Sequence, residues 1–179
     1  MQRILAGPGS GKTSLLIAQI LERLRNGIPR TAIIGLTFTR RAAKEMQDRL
    51  ATSGQPAPWL GTFHALAYRI LSEIGLLQTP VNLETLIPEA TTALRAGKTP
   101  AWLAQVRYMA VDEAQDLDAT QVEFLQVLCH LTDAEILLVG DPDQAIYGFR
   151  AASARFLLAQ LPMWAYRDPA ISRGYSVIQ

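Results

Sequence analysis

Residues 6–14 read "AGPGSGKTS", and this stretch decides how the rest of the chain is to be read. Glycines at 7, 9 and 11 let the backbone turn tightly and leave its amides uncovered, and Lys12 and Thr13 follow at once. The apolar run "RILA" precedes the loop. After it, "SLLIAQILERLRNG" places apolar residues at 15, 16, 17, 20, 21 and 24, a helical spacing closed by Gly27 with Pro29 just beyond. The loop therefore joins a strand to a helix, whose N-terminus adds partial positive charge and free N–H groups to those of the turn. Such a cradle suits phosphate. Gly7, Pro8, Gly9, Ser10, Gly11, Lys12, Thr13 and Ser14 are its candidate binding residues, with Lys12 reaching the β and γ phosphates and the Thr13 hydroxyl ligating Mg²⁺. The usual G-x-x-x-x-G-K-[ST] pattern has Gly where this chain has Ala6. A glycine-rich turn that binds nothing is the alternative, and the flanking strand and helix weigh against it.

At 179 residues, 49% hydrophobic and 18% charged, the chain reads as one globular domain with a sizeable core. Its formal net charge of +1 neither favours nor excludes nucleic acid, since a small basic face can hide inside a neutral total. No apolar run approaches the ~18 residues of a membrane span and no signal peptide opens the chain, which predicts a cytoplasmic protein. The single cysteine, Cys129, lies in the apolar pattern "VEFLQVLCHL" and reads as a buried thiol rather than a reactive one. His64 and His130 lack companions at metal-ligand spacing.

Strand-like runs, "RILA", "TAIIGLTF", "PWLGTF", "VRYMAVD" and "AEILLVGD", alternate with helical patterns near residues 12–26, 40–51, 63–74, 84–96, 119–131 and 151–160. That alternation predicts an α/β fold, a parallel sheet with helices on both faces, and places ligand chemistry at the carboxyl ends of the strands. A Gly/Pro loop interrupts the pattern at "ATSGQPAPWL", and a small helical insertion bounded by prolines occupies roughly 75–105. Residues 1–162 form the expected domain; 163–179 read as a connector or the start of a further one.

Two further segments carry chemistry. "YMAVDEAQD" is an apolar strand ending in acids, which places Asp112 to hold Mg²⁺ opposite Thr13 and Glu113 to act as general base on an attacking water. A solvated acidic turn is the plain alternative for this segment taken alone. In "LLVGDPDQAIYGFRAA", Gln144 is an amide able to sense a γ phosphate, and Tyr147 and Phe149 offer aromatic faces two residues apart. Those rings could stack on nucleic-acid bases or be buried beneath the loop.

Taken together, these segments resemble the ordered motifs of superfamily 1A DNA helicases, the UvrD/Rep/PcrA family: "AGPGSGKTS", "LTFTRRAAKEMQDRL", "GTFHALAYRIL", "VDEAQD" and "VGDPDQAIYGFRAA" match motifs I, Ia, Ib, II and III. The family's first motif often begins with Ala, as here. The resemblance implies a RecA-like P-loop NTPase fold and an ATPase that uses ATP and Mg²⁺, with Lys12, Glu113, Gln144 and Arg167 as catalytic residues. It also implies sequence-independent single-stranded DNA binding by Phe38, Thr39, Arg40, Thr62, Phe63, His64, Tyr147 and Phe149. Arg40 and Arg41 stand where the family usually has Asn-Lys, adding a charge where phosphates are expected. "AYRDP" resembles motif IV in Tyr166, which would stack on adenine, and Arg167, which would reach the γ phosphate; Ala165 and Asp168 depart from it.

The same resemblance makes the chain the family's first RecA-like domain alone, with the adenine-recognising glutamine motif, motifs V and VI and the second motor domain outside it, and with the insertion between motifs Ib and II reduced to about 30 residues. A second domain or partner chain would then complete the ATP site. Without it, hydrolysis should be weak or absent and strand separation should not occur, because arginine fingers are worth ~10³–10⁵ in rate. A non-hydrolysing ATP- or DNA-binding regulatory module acting through a partner chain is the rival reading. A small P-loop kinase is disfavoured, since "DEAQD" and "GDPDQ" provide water activation and γ-phosphate sensing rather than an acceptor site.

Overall fold

Apolar runs set between glycines and prolines become five parallel strands: β1 (Gln2–Leu5), β2 (Ile33–Thr37), β3 (Trp59–Thr62), β4 (Tyr108–Val111) and β5 (Glu135–Gly140). The computed structural model describes residues 11–52, 54 and 57–140, and the backbone alone of residues 2–5. The strands lie in the order β1-β5-β4-β2-β3, every neighbouring pair parallel. Between them run α1 (Lys12–Arg25), α2 (Arg40–Ala51), α3 (Phe63–Glu73), α4 (Leu83–Arg95) and α5 (Ala119–Leu131). The α/β class expected from the alternation is therefore the observed one. The helix expected at 151–160 lies outside the described residues.

Because successive side chains of a strand point to opposite faces, the central strands supply two cores at once. On one face Ile33, Tyr108, Ala110, Leu137 and Val139 pack with Leu16, Ile17 and Ile20 of α1 and Met46 and Leu50 of α2. On the other, Ile34, Leu36, Met109, Val111, Ile136 and Leu138 meet α3, α4 and α5 through Leu66, Ile70, Leu94, Phe124 and Leu128. Strands covered on both sides read as unbroken apolar runs, which is why "AIIGL" and "EILLV" show no polar alternation. Gly35 gives β2 and β3 room to pack: a Cβ there would collide with Leu60.

The segment between α3 and β4, expected as a small helical insertion, carries α4, which packs against α3 and α5. Asn82 caps α4 by accepting from the Glu84 N–H at 3.0 Å, and Leu86, Ile87, Ala90 and Leu94 are buried in the same core as α3 and α5. Cys129 on α5 is half-buried against that core, and burial pushes its thiol up to about 12.

At the amino ends of the strands, Arg23 of α1 donates two hydrogen bonds to Glu135, at 3.0 and 2.8 Å, and lies over the Tyr108 ring at 5.1 Å. This fork closes the edge opposite the motif residues. The Tyr108 hydroxyl is buried with no hydrogen-bond partner among the described residues, and burial raises its pKa far above the phenol range. No helix among the described residues is long and apolar enough to cross a membrane.

Candidate functional site

The loop after β1 enters α1 through Gly11, whose φ of 80° is left-handed. Gly adopts that conformation at no steric cost, and an L side chain pays for it. Gly11 also begins the helix, its carbonyl accepting from the Leu15 N–H at 2.9 Å. The caps of the other helices show what is different here. Thr39, Thr62, Asn82 and Asp118 each turn a side-chain oxygen onto the first N–H groups of α2, α3, α4 and α5. Gly11 has no side chain with which to cap α1, an arrangement suited to an anion at the helix N-terminus.

Across the sheet end, β4 stops at Val111 and delivers two acids. Asp112 is 3% exposed, its backbone N–H held by the Leu36 carbonyl at 2.8 Å. Its Oδ2 accepts from the Thr13 hydroxyl at 3.2 Å, a contact between residues 99 apart in sequence, and its Oδ1 accepts from the Glu113 N–H at 3.1 Å. Burial, and next the Glu113 charge, raise the Asp112 pKa, while the Thr13 and Glu113 hydrogen bonds and Lys12 oppose the rise. Lys12, 8% exposed, pairs with Glu113 Oε2 at 3.8 Å. Glu113 itself sits at φ 52°, a left-handed conformation costing a non-glycine residue roughly 1–2 kcal/mol.

Thr13, Lys12, Asp112 and Glu113 thus converge on one point at the carboxyl edge of the sheet. Two hard oxygen donors side by side, a buried ammonium and an uncapped helix N-terminus fit a Mg²⁺-bound polyphosphate. Thr37, at the carboxyl end of β2, adds a buried hydroxyl with no partner among the described residues; the sequence reading missed it. Ser14 is exposed, and its hydroxyl accepts from Arg49 of α2 at 3.2 Å.

The nucleic-acid candidates divide. Phe38 (40% exposed), Thr39 and Arg40 follow β2; Thr62 ends its neighbour β3, paired in register with Thr37, and His64 lies just beyond; all are on the same edge as the acids. The hydroxyl oxygens of Thr39 and Thr62 serve as caps, accepting from the N–H groups of Ala42 at 3.1 Å and Ala65 at 3.2 Å. Phe63 is a correction. Expected to face DNA, it is 1% exposed, because as the first residue of α3 it shares a face with Leu66, Ala67 and Ile70 and fills the core. Gly7, Pro8, Gly9, Ser10, Gln144, Tyr147, Phe149, Tyr166 and Arg167 lie outside the described residues.

Gln115 is a residue that the sequence reading passed over. It occupies the 3₁₀ turn Ala114–Asp116, is 5% exposed, and donates from Nε2 to Glu113 Oε2 at 2.7 Å. Its position inside the acidic motif was the only signal.

A family model described as an AAA domain matches residues 1–150. The chain belongs to that family. Within it, this AAA domain is an N-terminal domain of the superfamily 1 helicase type, similar over 87% of its length to several proteins of the UvrD/Rep/PcrA kind. It is 44% identical over 73 residues to DNA helicase II of Salmonella typhimurium, which covers 38% of this chain and 10% of that protein. With the ATP-dependent DNA helicase PcrA of Leuconostoc citreum it is 28% identical over 244 positions, covering 87% of this chain and 32% of the relative. The ATP-dependent DNA helicase Rep of Escherichia coli is 24% identical over 241 positions, covering 87% and 36%. The AAA domain therefore spans about a third or less of the length of these relatives. An alignment of 244 positions that uses 87% of a 179-residue chain leaves about 90 positions of the PcrA relative opposite gaps.

Proposed function

We propose that this AAA domain binds and hydrolyses ATP at the Lys12–Thr13–Asp112–Glu113 site, and that in a complete motor the reaction drives translocation along single-stranded DNA and unwinding. The observation that carries the proposal is the 3.2 Å contact between the Thr13 hydroxyl and Asp112, which joins the glycine loop to the acidic strand end with Glu113 alongside. The names of the relatives, ATP-dependent DNA helicases, support the same reading.

Lys12, at the start of α1, neutralises the β and γ phosphates, and the uncapped N-terminus of α1 adds N–H donors beneath them. Mg²⁺ held by Thr13 and Asp112 would offset charge on the phosphate oxygens. Glu113 takes a proton from water as its oxygen bonds to the γ phosphorus, and the bond from that phosphorus to the β–γ bridging oxygen breaks to leave ADP and phosphate. Gln144 would report the γ phosphate, and Tyr166 and Arg167 would meet adenine and phosphate from the segment beyond residue 162.

Single-stranded DNA would cross the carboxyl edge over Phe38, Arg40, Thr62 and His64, continuing over Tyr147 and Phe149, in contact with the edge that holds the acids. We assign residues 1–162 to the RecA-like domain, with a reduced insertion near 75–105, and 163–179 to a connector. A second domain or partner chain would complete the catalytic site.

The test is ATP affinity and single-turnover hydrolysis, with and without single-stranded DNA, for the parent chain, Lys12→Ala and Glu113→Gln. Lys12→Ala should abolish ATP–Mg²⁺ binding. Glu113→Gln should bind ATP and turn over ~10²–10⁴-fold more slowly, the usual worth of a general base. Parent-like binding by Lys12→Ala would refute the site. Tight binding by the parent with background turnover in every condition would favour the non-hydrolysing module over a domain that hydrolyses on its own.

A further inference from the structure

The contacts around Glu113 identify a group with no part in the reaction as written. The Glu113 side chain is roughly one-third exposed, so packing alone does not fix its carboxylate. A general base works only when held within about 0.5 Å of its productive position. The hydrogen bond from Gln115 falls on Oε2, as does the Lys12 ion pair, so both contacts hold the same carboxylate oxygen. The amide itself is buried and lies against the end of β5, where a Cβ at Gly140 would come within 2.7 Å of Gln115 Oε1, 3.2 Å of the Gln115 backbone nitrogen and 3.3 Å of the Ala114 backbone nitrogen.

We propose that Gln115 is a positioning residue, pinning one oxygen of Glu113 so that the other is presented to the attacking water, with the glycine at the end of β5 required for the amide to reach it. This rests on the reading of Glu113 as the base. A neutral donor suits the role, because it fixes the carboxylate without the full charge of a second lysine, which would weaken its basicity. The arrangement also ties the base to the end of β5, the strand that leads into the segment containing Gln144.

Gln115→Leu keeps the bulk and removes the donor, so it should lower the hydrolysis rate ~10–100-fold, the usual cost of losing an outer hydrogen-bond partner, while ATP affinity stays within about twofold of the parent. Added to Glu113→Gln, it should cost nothing further, since the two changes disable one unit. Gly140→Ala should slow turnover in the parent and not in the Gln115→Leu background.

A Gln115→Leu protein as fast as the parent, or an equal additional loss on top of Glu113→Gln, would overturn the positioning role and leave Glu113 as the base. An unaffected Glu113→Gln would instead remove the underlying reading. Where the parent chain hydrolyses at background, the side-chain amide protons of Gln115 provide the measurement. They should be protected from solvent exchange in the parent and lose that protection in Glu113→Ala; equal exchange in both overturns the proposal.

Discussion

Two phenylalanines that the motif resemblance treats alike are separated by the fold, and their alanine variants should behave in opposite ways. Phe63 is 1% exposed and packed in the core formed by β2, β4, β5 and α3–α5. Truncating such a ring costs roughly 3–5 kcal/mol, lost burial plus the cavity left behind. In a domain of this size each kcal/mol moves the melting temperature by about 2–4 °C, so Phe63→Ala should melt about 6–20 °C below the parent. Phe38 is 40% exposed at the end of β2, and Phe38→Ala should shift melting by no more than ~2 °C. If Phe38 stacks on a base, the same change removes ~1–3 kcal/mol of binding, about 5–150-fold in affinity. Thermal melting and fluorescence anisotropy with a labelled oligothymidine, at one salt concentration and well below both melting points, measure the two effects. Phe63→Ala melting with the parent would refute the core assignment, and unchanged DNA affinity in Phe38→Ala would remove that residue from the proposed path.

Three more outcomes follow from the same geometry. Tyr108→Phe removes a buried hydroxyl without a described partner and should match or exceed the parent by up to ~1 kcal/mol. Because the folded-state pKa of Tyr108 is raised, the unfolded chain ionises first; parent stability should fall as pH rises above the usual phenol value of 10.0, and chemical denaturation of Tyr108→Phe should show a shallower alkaline decline. Gly11→Ala adds a Cβ that meets no described residue within 4 Å but forces a left-handed alanine, so melting should report a cost of ~1–2 kcal/mol from backbone conformation. Glu135→Ala strips Arg23 of its bidentate partner at the edge away from the acids and should cost ~1–2 kcal/mol in denaturant melts, less at high salt, with ATP affinity unchanged.

The elements were legible because punctuation and periodicity agree. The helical spacing up to Leu24 and the stop at Gly27 give α1, and strands buried on both faces leave unbroken apolar runs such as that of β5. The meeting of Thr13 with Asp112 was legible as well, since a glycine loop and an acidic strand end have one edge of a parallel sheet on which to gather. What was not legible depends on side-chain direction and tertiary partners. A motif match carries a residue type and no orientation, so Phe63 was expected beside DNA although the period of α3 turns it inward. Gln115 acquires its significance from Gly140, on a strand that begins only after α5, and no local pattern encodes that contact. The helical character of the 76–100 stretch was readable from its spacing, but that Leu86, Ile87, Ala90 and Leu94 share a core with α3 and α5 was not.

That last feature governs where this scaffold can be enlarged. Since α4 is structural, extra sequence cannot replace it without opening the cluster it shares with α3 and α5. The exposed turns on either side, Leu76 with Val81 and the stretch 95–99, are where a grafted module could leave and rejoin the domain without disturbing packed side chains. An accessory domain spliced at one of those turns would hang from the α3–α4–α5 side of the sheet, away from the face that packs α1 and α2.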